Sequence, residues 1–367
     1  MTTQILAASA DEVVLAAAAT AAGLLAPADR QVLVGPDDDL KAVAAGLGDG
    51  AGTVELLVGT SALRLGRELT RRWTDAHVVL LASGAAAYGP TPRTLAGRLA
   101  KRTDRVLHLD PVPGLKPLLL AERAVPVQAV PAEHVRAVLD GLTGPAPVAD
   151  PTTLVLARSA AWSGSLDRDQ QTEVAVAMLQ RCAEAGHSRV VLLLDVEPAP
   201  RARRQLEKAA KAVRADLSLV VDVGPVAAWT GLPGVRLVVG SADEELLLAR
   251  HVHGRRVAQL DTEVVLKHFD PFPDARRTGA TLVAATVPDL RSWTAHPEGE
   301  TLDPVDLGGL MGTVAYAMEP ELLAARRASA IGWLETHPKS RRRFVRRRRL
   351  TELRLPGGKR PVRAVLG

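Results

Sequence analysis

One pattern constrains this chain more than any other. Short Val/Leu-rich runs, apolar on both faces, alternate with helix-like stretches; the series breaks once and then restarts. Gln4 to Ala8 reads as a strand and Asp11 to Leu25 as an Ala/Val/Leu helix. Gln31 to Val34, Thr53 to Val58, His77 to Leu81 and Arg105 to Leu109 read as further strands. A strand apolar on both faces has to be covered on both, the condition of a parallel strand in a doubly wound sheet. Gly141 to Pro151 (GLTGPAPVADP) interrupts with residues that end regular structure. Beyond it come strands at Thr153 to Ala157, Arg189 to Leu194, Leu217 to Asp222, Val235 to Val239 and Arg256 to Gln259. Helices at Asp167 to Ala185, Arg201 to Arg214 and Asp243 to Val252 separate them, and 304–330 looks helical. The expectation is an α/β protein of two Rossmann-like domains, 1–145 and 151–330, with mainly parallel sheets facing a central cleft, and a basic segment, 331–367. Ligands of such folds bind outside the carboxyl ends of the strands.

Composition removes several function classes. At 47% hydrophobic and 24% charged, the 367-residue chain reads as ordered and globular. No apolar run of about twenty residues escapes charge, so no membrane span is expected. Asp11 and Glu12 interrupt the Ala-rich start, and no basic segment precedes it, so no targeting peptide is read. A cytoplasmic location is expected. The single cysteine, Cys182, has no partner for an internal disulfide and sits among Met178 and Leu179 as a packed thiol.

The strand-to-turn stretch Leu80 to Pro92 (LLASGAAAYGPTP) is the most informative loop, its glycines suited to unusual backbone angles. Tyr88-Gly89-Pro90-Thr91 and the run Arg105 to Leu120 (RVLHLDPVPGLKPLLL) resemble the α-2,8-polysialyltransferase family of actinobacteria. Thr3-Gln4-Ile5, Arg189-Val190-Val191, Val238-Val239-Gly240 and Thr281-Leu282-Val283 are similar in the same order, so the resemblance spans residues 3 to 290. It implies a GT-B fold with an acceptor-side first domain, a second domain that holds a CMP-linked nonulosonic acid, and inverting transfer without a metal, in envelope glycan synthesis. Such transfer needs a base for the acceptor hydroxyl and a means of stabilising the leaving phosphate.

The resemblance also implies where those groups should fall, and there the sequence departs. An acidic base just before the loop glycine corresponds to Ser83, preceding Gly84. A Lys-Pro-His-Pro-like stretch corresponds to Leu193-Leu194-Asp195-Val196, with Asp195 at the histidine. A hydroxyl pair corresponds to Asp243-Glu244 within Gly240-Ser241-Ala242-Asp243-Glu244. Carboxylates suit a helix start but repel phosphate there. Ser83 and Asp195 are thus the catalytic candidates, and Gly84, Tyr88, His108, Gly240, Ser241, Asp243, Glu244 and Arg277 the substrate-binding ones. Arg277 would pair a sugar carboxylate or be a solvated loop charge. Asp195 would act as acid or base, or be a surface carboxylate.

No metal or cofactor is expected. Asp37-Asp38-Asp39 cannot turn three adjacent side chains on one ion, His251 and His253 share no helix face, and no phosphate-cradling glycine motif is present. From Lys339 onward twelve Lys and Arg oppose Glu352 alone, while the rest of the chain carries the acidic excess. Only Phe344 interleaves them, which argues against base stacking and specific nucleic-acid binding. A disordered extension over 339–363 with affinity for polyanions is expected, with peripheral docking on an anionic inner membrane leaflet second and attraction to an acidic glycan third. Three functional readings stand: a glycosyltransferase acting on a CMP-linked sugar, a non-catalytic relative that binds a glycan or a partner, and a polyanion-binding protein acting through its arginine-rich segment.

Overall fold

A computed structural model describes residues 2–7, 9–27, 29–34, 53–95, 97–142, 148–158, 165–221, 226–292 and 304–359. The first sheet holds β1 (Thr2–Ala7), β2 (Arg30–Leu33), β3 (Thr53–Gly59), β4 (His77–Ala82), β5 (Thr103–His108) and β6 (Val127–Ala129) in the order β2-β1-β3-β4-β5-β6. The second holds β7 (Thr152–Leu156), β8 (Arg189–Leu194), β9 (Asp216–Val221), β10 (Val235–Gly240) and β11 (Arg256–Gln259) in the order β11-β10-β7-β8-β9. Every strand pair is parallel. The physical reason is the one read from the pattern: central strands such as β4 and β7 are buried along almost their whole length. The expected architecture of two mainly parallel, Rossmann-like sheets therefore stands. β6 was not foreseen; three residues at a sheet edge leave too little apolar signal.

The domains interpenetrate. The Glu245–His253 helix follows β10, yet its Leu248 and Val252 complete the first domain's apolar cluster with Leu15, Leu107 and Val135. Arg136 Nε, on the Ala132–Asp140 helix, donates to the Val252 carbonyl at 2.7 Å across the boundary. In return, Ala85, Tyr88, Val112, Leu115 and Leu118 of the first domain join the second domain's core.

The basic C-terminal segment is folded as far as Lys359, contrary to the expected disorder. The Arg327–Thr336 helix runs through position 331, and helices Pro338–Phe344 and Arg347–Glu352 follow. Trp333, Leu334, Phe344, Val345, Leu350 and Leu355 are buried in the second domain's core. Several arginines act as fasteners: Arg343 donates to the Ala284 carbonyl at 2.7 Å, Arg349 to that of Ala317 at 2.7 Å, and Arg346 to that of Lys267. Apolar residues spaced through the arginine run let it pack, because arginine stems cover apolar surface while their heads find carbonyls. Lys339, Arg342, Arg347, Arg348, Arg354 and Lys359 remain exposed. No helix among the described residues is long and apolar enough to cross a membrane.

Candidate functional site at the interdomain cleft

A cleft of about 1040 Å³ lies between the carboxyl ends of the two sheets. Strand ends supply its walls. From the first domain come Asp11 and Glu12 after β1, Thr60 and Ser61 after β3, and Ser83 and Gly84 after β4. From the second come Arg158 after β7, Asp243, Glu244 and Glu245 after β10, and Arg276 and Gly279 on the Arg276–Thr286 helix.

Glu12 is spent on structure. Ser9 caps the Ala10–Ala21 helix in a capping box, and the Glu12 carboxylate accepts five hydrogen bonds from Ser9, Thr60 and Ser61. It ties the end of β3 to the first helix.

The turn Ser241 to Glu244 shapes the opposite wall. Ala242 holds a left-handed φ of 55°, uncommon for a residue with a Cβ, and its N–H donates to Thr262 Oγ1 at 3.0 Å. Asp243 Oδ1 then accepts the Glu245 N–H at 3.1 Å, a local turn at the start of the helix. Glu244 leaves its own helix: its Oε2 accepts the Ala85 N–H, across the cleft, at 2.9 Å. A Cβ on Gly84 would stand 2.2 Å from Glu244 Oε1, and one on Gly279 would stand 2.8 Å from Oε2. The carboxyl fills space that only glycine leaves. The sequence expectation of Asp243 as N-cap and Glu244 in the first turn is shifted by one: Glu244 takes the N-cap position without a side-chain cap and is an interdomain contact instead.

Arg158 is the cation at the centre of this wall. Its Nε meets Asp195 Oδ1 at 2.8 Å. Burial alone would lower its pKa, but Asp243, Asp195 and Glu245 hold it raised. Burial raises the carboxyl pKa of Asp243, Glu244 and Glu245; Arg158 opposes it at Asp243 and Glu245, and at Glu244 the Ala85 N–H opposes it first. Asp11 is raised for the same reason, with Arg158 lowering and Glu12 adding to the shift.

The expected site residues divide accordingly. Ser83, Gly84, Asp243 and Glu244 line the cleft. Asp195 holds Arg158 from behind, and Gly240 closes β10 beside Leu156 and Gln259. Ser241 is fully buried beneath the turn. Tyr88 and His108 form a buried edge-to-face pair, 6.1 Å between ring centres, behind the first-domain wall. Tyr88 donates to Asp110 at 2.5 Å and His108 Nδ1 to the Leu109 carbonyl at 2.5 Å. Burial raises the phenol and lowers the imidazole, so both stay neutral.

Arg277 does not face a sugar carboxylate. It is 1% exposed and donates to the carbonyls of Leu266, Phe269 and Phe272, with its guanidinium 4.0 Å over the Phe272 ring. Burial lowers its pKa to about 10. The neighbouring charged, proline-broken stretch looked like a loop, and the difference comes from the helix that starts at Arg276.

Asp37 to Asp39 lie outside the described residues. Asp11, Arg158 and Glu245 were missed as site residues. Only the Ser9-to-Glu12 spacing carried a local signal, and it marks a helix start; the convergence of the three is tertiary.

No protein-family model matches the chain, and none of the curated proteins matches it. Among solved structures, the GT-B domain of a Photobacterium damselae sialyltransferase aligns at 10% identity and TM-score 0.44, covering 73% of this chain and 95% of its own. Methanocaldococcus jannaschii UDP-GlcNAc 2-epimerase aligns at 10% identity and TM-score 0.39, covering 71% and 83%. Acinetobacter baumannii MurG aligns at 12% and 0.34, covering 90% and 94%. Likenesses this distant assign no residue and no reaction.

Proposed function

We propose that this chain is a glycosyltransferase-like protein that does not transfer a sugar, retained as a glycan-binding or partner-stabilising subunit of envelope glycan synthesis. One observation carries the reading. The helix start that faces the cleft, where this kind of fold meets donor phosphate, presents Asp243, Glu244 and Glu245. The one guanidinium beside them, Arg158, already serves Asp195 and neighbouring carboxyls. A phosphate entering here would meet like charge in a poorly solvated site. The resemblance to polysialyltransferases supports a glycan setting, and the missing base at Ser83 supports the loss of transfer.

Calorimetry with CMP, CMP-sialic acid and UDP-GlcNAc, followed by a transfer assay, tests it. No binding heat and no product are expected. Saturable binding of CMP-sialic acid with turnover that disappears in Asp195→Ala would overturn the reading in favour of an active transferase.

A further inference from the structure

The two domains meet along two unlike seams. At the back, Leu248 and Val252 are sunk in the first domain's apolar cluster, and Arg136 holds the Val252 carbonyl. That seam is held by water exclusion; its titratable groups are His251 and His253 beside Arg136, and burial lowers both imidazoles, so the seam firms as pH rises. At the front, the walls meet through carboxyls. The second-domain wall carries Asp195, Asp243, Glu244 and Glu245 around Arg158, and the first-domain wall facing it carries Asp11 and the fully bonded Glu12. Of the other cations at the cleft, Arg276 is paired with Asp274, Arg349 with Glu352, and Arg93 with Glu319. The Arg93 to Glu319 pair also spans the domains, at 3.0 Å, but the arginine side chain is 71% exposed. Such an exposed pair is screened by solvent and holds the walls only weakly.

We propose that Glu244 is a proton-controlled latch between the domains: seated on the Ala85 N–H it holds the cleft closed, and ionisation of the carboxyls around it releases the front seam while the apolar back seam stays as the hinge. The Ala85 N–H favours the ionised carboxyl, but burial outweighs it; a neutral Glu244 still offers an acceptor to Ala85, so the closed seat survives protonation. Ionised, Glu244, Glu245 and Asp243 stand against Asp11 of the other domain with one shared guanidinium between them. The charge is relieved by letting water in, which requires the walls to part.

The raised carboxyls set the sign. The closed state binds more protons than an open, solvated one, so closure is favoured at low pH. It weakens as pH rises above the ordinary carboxylate range of about 4. The inference goes beyond the functional reading, and it is tested without any ligand, so either can fail alone.

Spin labels at the exposed positions Arg64 and Ala325, introduced as Arg64→Cys and Ala325→Cys, report the distance across the cleft by pulsed dipolar spectroscopy; buried Cys182 stays unlabelled. From about pH 5 to about pH 8, rising above the ordinary carboxylate range, the mean distance should lengthen in the otherwise native protein. Glu244→Gln, which keeps an acceptor for Ala85 and removes one of the ionising carboxyls, should lengthen less than the native protein. If that variant does not fold, Asp11→Asn carries the same expectation. A native distance that does not move with pH, or variants that move as far as the native protein, would overturn the latch.

Discussion

The carboxylate of Glu244, carried by the second domain, accepts the backbone N–H of Ala85, carried by the first, at 2.9 Å. Two residues 159 apart in sequence thus close the front of the cleft with one hydrogen bond. The contact exists because Gly84 and Gly279 leave the carboxyl its room.

Gly84→Ala should therefore destabilise the protein by about 1–3 kcal/mol through overpacking against Glu244. In a Glu244→Ala background the same substitution should cost far less, since the clashing group is gone. A double-mutant cycle by urea denaturation checks this, and additive effects would separate Gly84 from Glu244.

Arg158→Ala should be among the most damaging cleft substitutions, at roughly 3 kcal/mol, because it strands Asp195, Asp243 and Glu245 near one another. Removing the cation raises the neighbouring carboxyls further. A raised folded-state pKa gives stability that is lost as pH rises through it, so the deficit should be larger at about pH 8 than at about pH 5. Urea midpoints at the two pH values decide it; equal deficits would show that the carboxyls do not titrate with the fold.

Arg277→Lys should lower stability by several kcal/mol, since one ammonium cannot serve the carbonyls of Leu266, Phe269 and Phe272 in the place of a planar fork. Thermal melting measures the effect. A variant as stable as the native protein would return Arg277 to a ligand-facing role.

Removal of the chain after Pro338 should unsettle the second domain, because Phe344, Val345 and Leu350 are core residues. Phe344→Ala alone should cost about 3–5 kcal/mol. Charge reversal of the exposed Arg342 and Arg347, by contrast, should leave the melting temperature almost unchanged and weaken salt-sensitive retention on heparin. Retention that survives both reversals would remove polyanion binding from this face.

Cys182 is buried with its thiol pushed up to about 12 by burial alone. It should resist thiol reagents at about pH 8 in the native state and react once in denaturant. Labelling of the folded protein at a rate like that of a free thiol would contradict the packing.

The sequence by itself determined the two parallel α/β domains, because burial on both faces writes the same apolar run into each central strand, and β8 and β11 fall where that signal placed them. It also determined that Asp243 and Glu244 would sit at a helix start, since where a helix begins is a local matter. It did not determine that Glu244 turns away to Ala85, that Arg158 gathers Asp195 and Glu245, or that Arg277 is sealed among carbonyls. Those outcomes depend on strand ends and helices brought together from distant parts of the chain. Nor did charge density show that the arginine segment folds, because what decides it is the core that Phe344 and Leu350 enter. Local spacing sets each element; what the charged groups on it meet is set only when elements from distant parts of the chain pack together.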